Sequence, residues 1–196
     1  MIRNAIRATL ATVVLAVLTG LVYPLLMTGV AQVAFGDKAD GSVVRVDGRP
    51  VGSTLIGQQW TGPEWFYGRP SAISDPYDAS TSSGSNLGPL SRDLADEIGK
   101  RVKAIIELEG PYHPGLTASQ IPVDLLTASA SGLDPDITPV AALFQAPRIA
   151  AEHGISIEDV ERLIEDHTAG RTFGFLGEPR VNVFELNLAL DQLGQG

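Results

Sequence analysis

Hydrophobic and polar positions divide this chain into two unlike parts. From Ala8 to Gly36 no residue is charged, and the run "ATLATVVLAVLTGLVYPLLMTGVAQVAFG" has no polar face at helical spacing. A membrane-spanning helix needs about 20 apolar residues, so the run predicts a transmembrane helix over residues 8–35 with some tilt. A cleaved signal peptide is the alternative, but its apolar core is about 7–15 residues, roughly half this length. Arg3 and Arg7 precede the span, which places a short cytoplasmic N-terminus at residues 1–7 by the positive-inside rule. Residues 36–196 then form an extracytoplasmic domain. Tyr23 and Pro24 lie near the middle of the span, where the missing proline donor predicts a kink against a neighbouring helix. Gly20, Thr28, Gly29 and Ala31 are small enough for a second helix to approach closely. Gly20, Tyr23, Pro24, Thr28 and Gly29 are therefore candidate partner contacts in the membrane.

Beyond the span the period changes. "VVRVDGRPVG" alternates around Asp47-Gly48 and predicts a β-hairpin, and "STLIGQQW" predicts a further strand. Both tryptophans, with Phe66 and Tyr67, fall within Trp60 to Tyr67. They either seal an edge of the core, face a partner through Trp65 and Tyr67, or form a membrane-interface belt. Ser74 to Ser91 is an ordered loop by composition. Leu94, Ile98, Val102, Ile105 and Leu108 form the stripe of a helix capped by Ser91 and ended by Gly110-Pro111. Thr138-Pro139 opens a second helix, with Gly154 just past its end. Ser156 opens a third, which Gly170 is expected to close. Asn182 and Glu185 have capping-box spacing for a last helix, Val183 to about Leu193. The fold class is α+β: one N-terminal transmembrane helix, then one domain with a small sheet, three or four helices and long ordered loops.

Composition narrows the function. The 196 residues suit one outer domain, and 44% hydrophobic content supports a packed core. Arg3 and Arg7 are two of the 14 basic residues, so 12 basic and all 23 acidic residues lie beyond residue 35, a net of −11. That balance repels phosphate and argues against nucleic-acid binding. There is no cysteine, which removes disulfides, thiolate catalysis and Cys-based zinc sites. The polar stretch "TASASGLDPDITP", Thr127 to Pro139, has only Asp134 and Asp136 as acids and lacks calcium-loop spacing. Ser129 and Ser131 have no nucleophile elbow, so Ser129→Ala is expected to be mild. His113, His153 and His167 show no ligand spacing, and the last two suit helix C-termini. The Gly/Ser loop at 74–91 lacks the P-loop arrangement. No metal site and no catalytic group is expected, and a membrane-anchored hydrolase is the weaker enzymatic alternative. The stretch reads instead as an ordered contact loop, with Ser131, Asp134 and Asp136 as candidate partner contacts.

The blocks "GSTLIGQQW", "RPSA", "SGSNLGPLS", "IPVDLLTASASGLDPDITP" and "GFLGEPRVNVFELNLALD" resemble, in order, those of the C subunit of the Kdp potassium-transporting ATPase. The resemblance spans nearly the whole chain. It departs at Asp136, where the family usually carries histidine, so any role of that histidine does not carry over. The resemblance implies a single-pass accessory subunit of the bacterial inner membrane. Its implied partners are a channel-like potassium-translocating subunit, a P-type ATPase subunit and the lipid bilayer. The D-K-T-G phosphorylation motif of such pumps is absent, so the chain is expected to be non-catalytic by itself. The resemblance implies no cofactor-binding residue in this chain. ATP enters only under an alternative, in which the subunit raises the ATP affinity of the pump. That alternative conflicts with an extracytoplasmic domain, because the pump's ATP is cytoplasmic.

Overall fold

A computed structural model describes residues 1–193. Contacts within the chain divide it into two compact units, Met1–Ser53 and Thr54 onward.

The first unit begins with a continuous helical stretch, Ile2–Ala34, long and apolar enough to cross a membrane and buried by nothing in the chain. It starts six residues before the predicted span. Its parts are α1 (Ile2–Val17), a π-type turn (Leu18–Val22) and α2 (Tyr23–Ala34). The π turn is the local answer to Pro24. Proline cannot donate to the carbonyl four residues back, and the Tyr23 N–H reaches five residues back, to Leu18 O. Such turns take in one extra residue and are a recognised cause of helix bending. Thr12 and Thr19 return their hydroxyls to the carbonyls of Ala8 and Leu15, at 2.9 and 2.7 Å. In a membrane these bonds leave neither group orphaned.

A single helical turn, α3 (Gly36–Ala39), leads to the predicted hairpin, β1 (Val43–Val46) and β2 (Arg49–Ser53). Asp47 and Gly48 both have positive φ, 51° and 77°, as a type I′ turn requires. A bulge between Val44 and Arg45 accommodates Pro50. Gln32 donates to Asp40 at 2.9 Å, and Ser53 Oγ to Gly41 O at 2.7 Å. The hairpin belongs to the same compact unit as the helix.

That second unit is built on α4 (Arg92–Glu109), α6 (Pro139–His153), α7 (Ile157–Asp166) and α8 (Val183–Leu193), with a short α5 (Val123–Leu126). A small antiparallel sheet has the order β3-β5-β4, from Asp136–Ile137, Arg180–Asn182 and Thr168–Ala169. The core joins Ala142, Ala146 and Ile149 of α6 to Val160 and Ile164 of α7, Val181 of β5, and Leu186 and Leu190 of α8. Each larger aliphatic side chain there contributes roughly 1.5–3 kcal/mol by burial.

The predicted starts of α6, α7 and α8 hold in detail. Thr138 Oγ1, Ser156 Oγ and Asn182 Oδ1 accept from the amides of Ala141, Asp159 and Glu185. Gly154 ends α6 at φ 65°. Three expectations fail. Ser91 precedes α4, but its side chain makes no cap bond. Gly170 does not close α7, which stops at Asp166, where His167 Nδ1 and Thr168 Oγ1 cover the carbonyls of Leu163 and Ile164. Thr54–Trp60 is not a strand. Tertiary bonds replace the ladder there: Asn182 Nδ2 donates to Thr54 O at 2.8 Å, and Gly57 N–H to Leu133 O at 2.9 Å.

Candidate partner-contact site

Two helices hold the aromatic segment in place through side-chain amides. Gln145 of α6 accepts the Tyr67 N–H at 2.8 Å and donates to Tyr67 O at 3.1 Å. Asn187 of α8 does the same for Phe66, with both distances 2.9 Å. Each amide thus stands in for a neighbouring strand, and satisfies backbone groups that would be costly to bury unpaired. Phe66 is fully buried as a result, while Trp65 and Tyr67 stay half-buried. Trp60 packs on Trp65 at 5.0 Å between ring centroids and on Phe184 at 6.5 Å. The core-edge reading of the aromatic group therefore holds for Phe66 and Trp60.

Arg148 lies beneath this segment, completely buried. It donates to Glu109 Oε1 at 2.9 Å, to Gln145 Oε1 at 3.0 Å, and to the carbonyls of Trp65 and Pro63. Its guanidinium also sits over the Tyr67 ring, 5.2 Å from the centroid. Burial pushes the Glu109 carboxyl above its ordinary range, and Arg148 opposes that rise. Removing one partner of such a buried pair typically costs about 3–5 kcal/mol.

The loop Thr127–Thr138 closes against the same segment. Ser129 N–H donates to Pro70 O, and Ser83 N–H to Ser131 O. Ser71 Oγ donates to Gly132 O at 2.8 Å. Gly132 has φ 73°, which L side chains rarely adopt, and a Cβ there would press on Ser83 O and Ile73 at about 3.1 Å. Arg69 is the hub, with its guanidinium 3.1 Å from Asp134 Oδ2. The Tyr77 hydroxyl donates to Arg69 O, and the phenol is pushed up to about 12, by burial first and by Asp134 second. A Cβ on Gly57 would strike the Tyr77 ring at 2.5 Å and Asp134 O at 2.7 Å, so only glycine fits there. Asp136 pairs with Arg180 at 3.0 Å, and burial raises its carboxyl against that pairing.

Arg69 separates two shallow hollows of about 300 and 270 Å³. Asp134, Asp136 and Arg180 line one, and Trp60, Tyr67 and Tyr77 line the other. The structure thus brings together Tyr67, Asp134 and Asp136 around Arg69. Ser131 lies behind them, with its hydroxyl accepting from Leu133 N–H and its carbonyl already bonded. Polarity that looked unspent in the sequence is mostly used inside the domain. Gly20, Tyr23, Pro24, Thr28 and Gly29 are exposed on the first unit, and nothing lies within 4 Å of a Cβ built on either glycine. Among the described residues no group of His, Asp or Glu has metal-site geometry.

Known proteins match the sequence over nearly all of its length. The family described as "KdpC: K+-transporting ATPase, c chain" matches residues 4–192. The chain belongs to this family. Similar proteins named "Potassium-transporting ATPase KdpC subunit" include those of Koribacter versatilis, 51% identical over 96% of this chain and 94% of the relative, and Herpetosiphon aurantiacus, 50% identical over 97% of each. That of Mycobacterium tuberculosis H37Rv is 50% identical over 97% of this chain and 99% of the relative. The family match takes in the helix, the hairpin, Arg69, Gln145, Arg148 and Asn187 alike. Arg69, Tyr77, Glu109, Gln145, Arg148 and Asn187 escaped the sequence reading. One signal for two of them was present: Gln145 and Arg148 interrupt the apolar face carrying Ala141, Ala142, Ala146 and Ile149.

Proposed function

We propose that this chain is a non-catalytic accessory subunit that stabilises an ATP-driven potassium uptake complex of the bacterial inner membrane. Its helix lies in the bilayer with the N-terminus cytoplasmic, and its main domain is extracytoplasmic. It holds together a channel-like potassium-translocating subunit and an ATP-hydrolysing P-type subunit. The observation that carries this is the bare helix of a KdpC-family chain: 33 residues, apolar, and covered by nothing of its own. In the bilayer, lipid or another helix must cover it, and its small residues favour a helix. Gly20, Tyr23, Pro24, Thr28 and Gly29 are the proposed contacts there. Trp65, Tyr67, Ser131, Asp134 and Asp136 are those proposed outside.

The test is omission. When the other subunits are expressed without this chain, they should be recovered apart and lack potassium-stimulated ATPase activity, and full-length chain should restore both. Intact, fully active complex without the chain would refute the reading. Intact complex with a raised KM for ATP would replace it with the ATP-affinity role.

A further inference from the structure

The segment between β4 and β5 presents its apolar side chains to solvent. Phe173, Phe175 and Leu176 are 84%, 70% and 50% exposed. They sit on a tight hairpin-like loop held by several backbone hydrogen bonds. Thr172 and Leu176 exchange N–H···O bonds, both 2.9 Å, and Gly174 N–H donates to Arg171 O at 3.0 Å. Arg171 and Glu178 close the neck at 2.6 Å. Phe173 is held at φ 54°, a left-handed conformation that a bulky side chain rarely adopts. Gly174 and Gly177 take positive φ beside it. The loop then feeds straight into β5, at the centre of the small sheet.

Folding does not account for this arrangement. The three side chains gain little by burial, and one sits in a strained backbone. A rigid aromatic tip is what an interface anchor needs, because its ordering cost is met before binding. Aromatic side chains also dominate the centres of protein interfaces.

We infer that Phe173, Phe175 and Leu176 form a preformed plug that docks into an apolar pocket on the extracytoplasmic face of another subunit of the transport complex. The inference rests on the accessory-subunit reading above. Charge selects protein over lipid. Arg171 is paired with Glu178 and Arg180 with Asp136, so both cations beside the tip are engaged. The chain beyond residue 35 carries a net of −11, which an anionic lipid surface repels. The pocket that fits is aliphatic or aromatic, deep enough for two rings two residues apart.

The test uses full-length chain co-expressed with the other subunits. Phe173→Gly/Phe175→Ala removes both rings while suiting the backbone at residue 173. Retention in the detergent-purified complex should fall at least tenfold, with the melting temperature of the purified full chain unchanged or higher. The chain has no cysteine, so Phe175→Cys carries a single benzophenone label, and photolysis should give an adduct with another subunit. Wild-type retention by the double variant, or adducts only with lipid or with a second copy, overturns the inference and leaves the accessory role standing. Failure of the wild-type chain itself to co-purify overturns both.

Discussion

Ser129 is 3% exposed, and its hydroxyl oxygen accepts the Gly132 N–H at 2.8 Å. That bond spans the turn in which Gly132 takes its left-handed φ beside Ser83 and Ser71. Ser129→Ala was expected to be mild because Ser129 is no nucleophile, and burial changes that expectation. Leaving a buried donor unpaired costs about 1–3 kcal/mol. Denaturant unfolding of the full chain should show a loss of that size. A loss below about 0.5 kcal/mol, within the scatter of ordinary surface changes, would mean that the bond adds little. The same logic explains why Arg148 could not be read from sequence. An arginine is rarely buried unless paired, and its partner Glu109 lies 39 positions away on another helix.

At the scale of elements, the caps of α6, α7 and α8 and the Asp47-Gly48 hairpin were legible, and the strand expected over Thr54–Trp60 was not there. Thr138, Ser156 and Asn182 act on amides three residues ahead, so their chemistry is local. Thr54–Trp60 had a strand-like composition, but its hydrogen bonds go to Leu133 and Asn182, which only folding brings near. The membrane helix supports a prediction of its own. Gly29 has open space where a Cβ would go, so Gly29→Leu meets no clash within the chain and improves helix propensity by up to about 1 kcal/mol. Co-purification of the partner subunits should nevertheless fall several-fold, with helix content unchanged by circular dichroism. Undiminished co-purification would show that this face meets only lipid.

For the whole molecule the question is which side of the membrane holds the main domain. Arg3 and Arg7 lie just before the span. Basic residues at a short end are retained in the cytoplasm, so the expected orientation has the N-terminus inside and the domain outside. Leu90 is 97% exposed in the long polar loop, which makes it an accessible cleavage site for a protease that cuts at leucine. Thermolysin added to intact spheroplasts should therefore cut near residue 90. Cleavage only after the cells are broken open would reverse the topology and place the domain beside cytoplasmic ATP.

The sequence by itself determined the apolar span, the Asp47-Gly48 hairpin, the starts of α6, α7 and α8, and the family resemblance. All of these are set by residues close together in the chain, or by long runs of residues matched in order. Tertiary structure alone decided that Gln145 and Asn187 pin the aromatic segment and that Arg69 pairs with Asp134 between the two hollows. It also turned Phe173 and Phe175 outward instead of into the core. Those outcomes depend on which buried backbone groups lack a partner and which apolar side chains find room in the core, and neither exists until distant segments have packed.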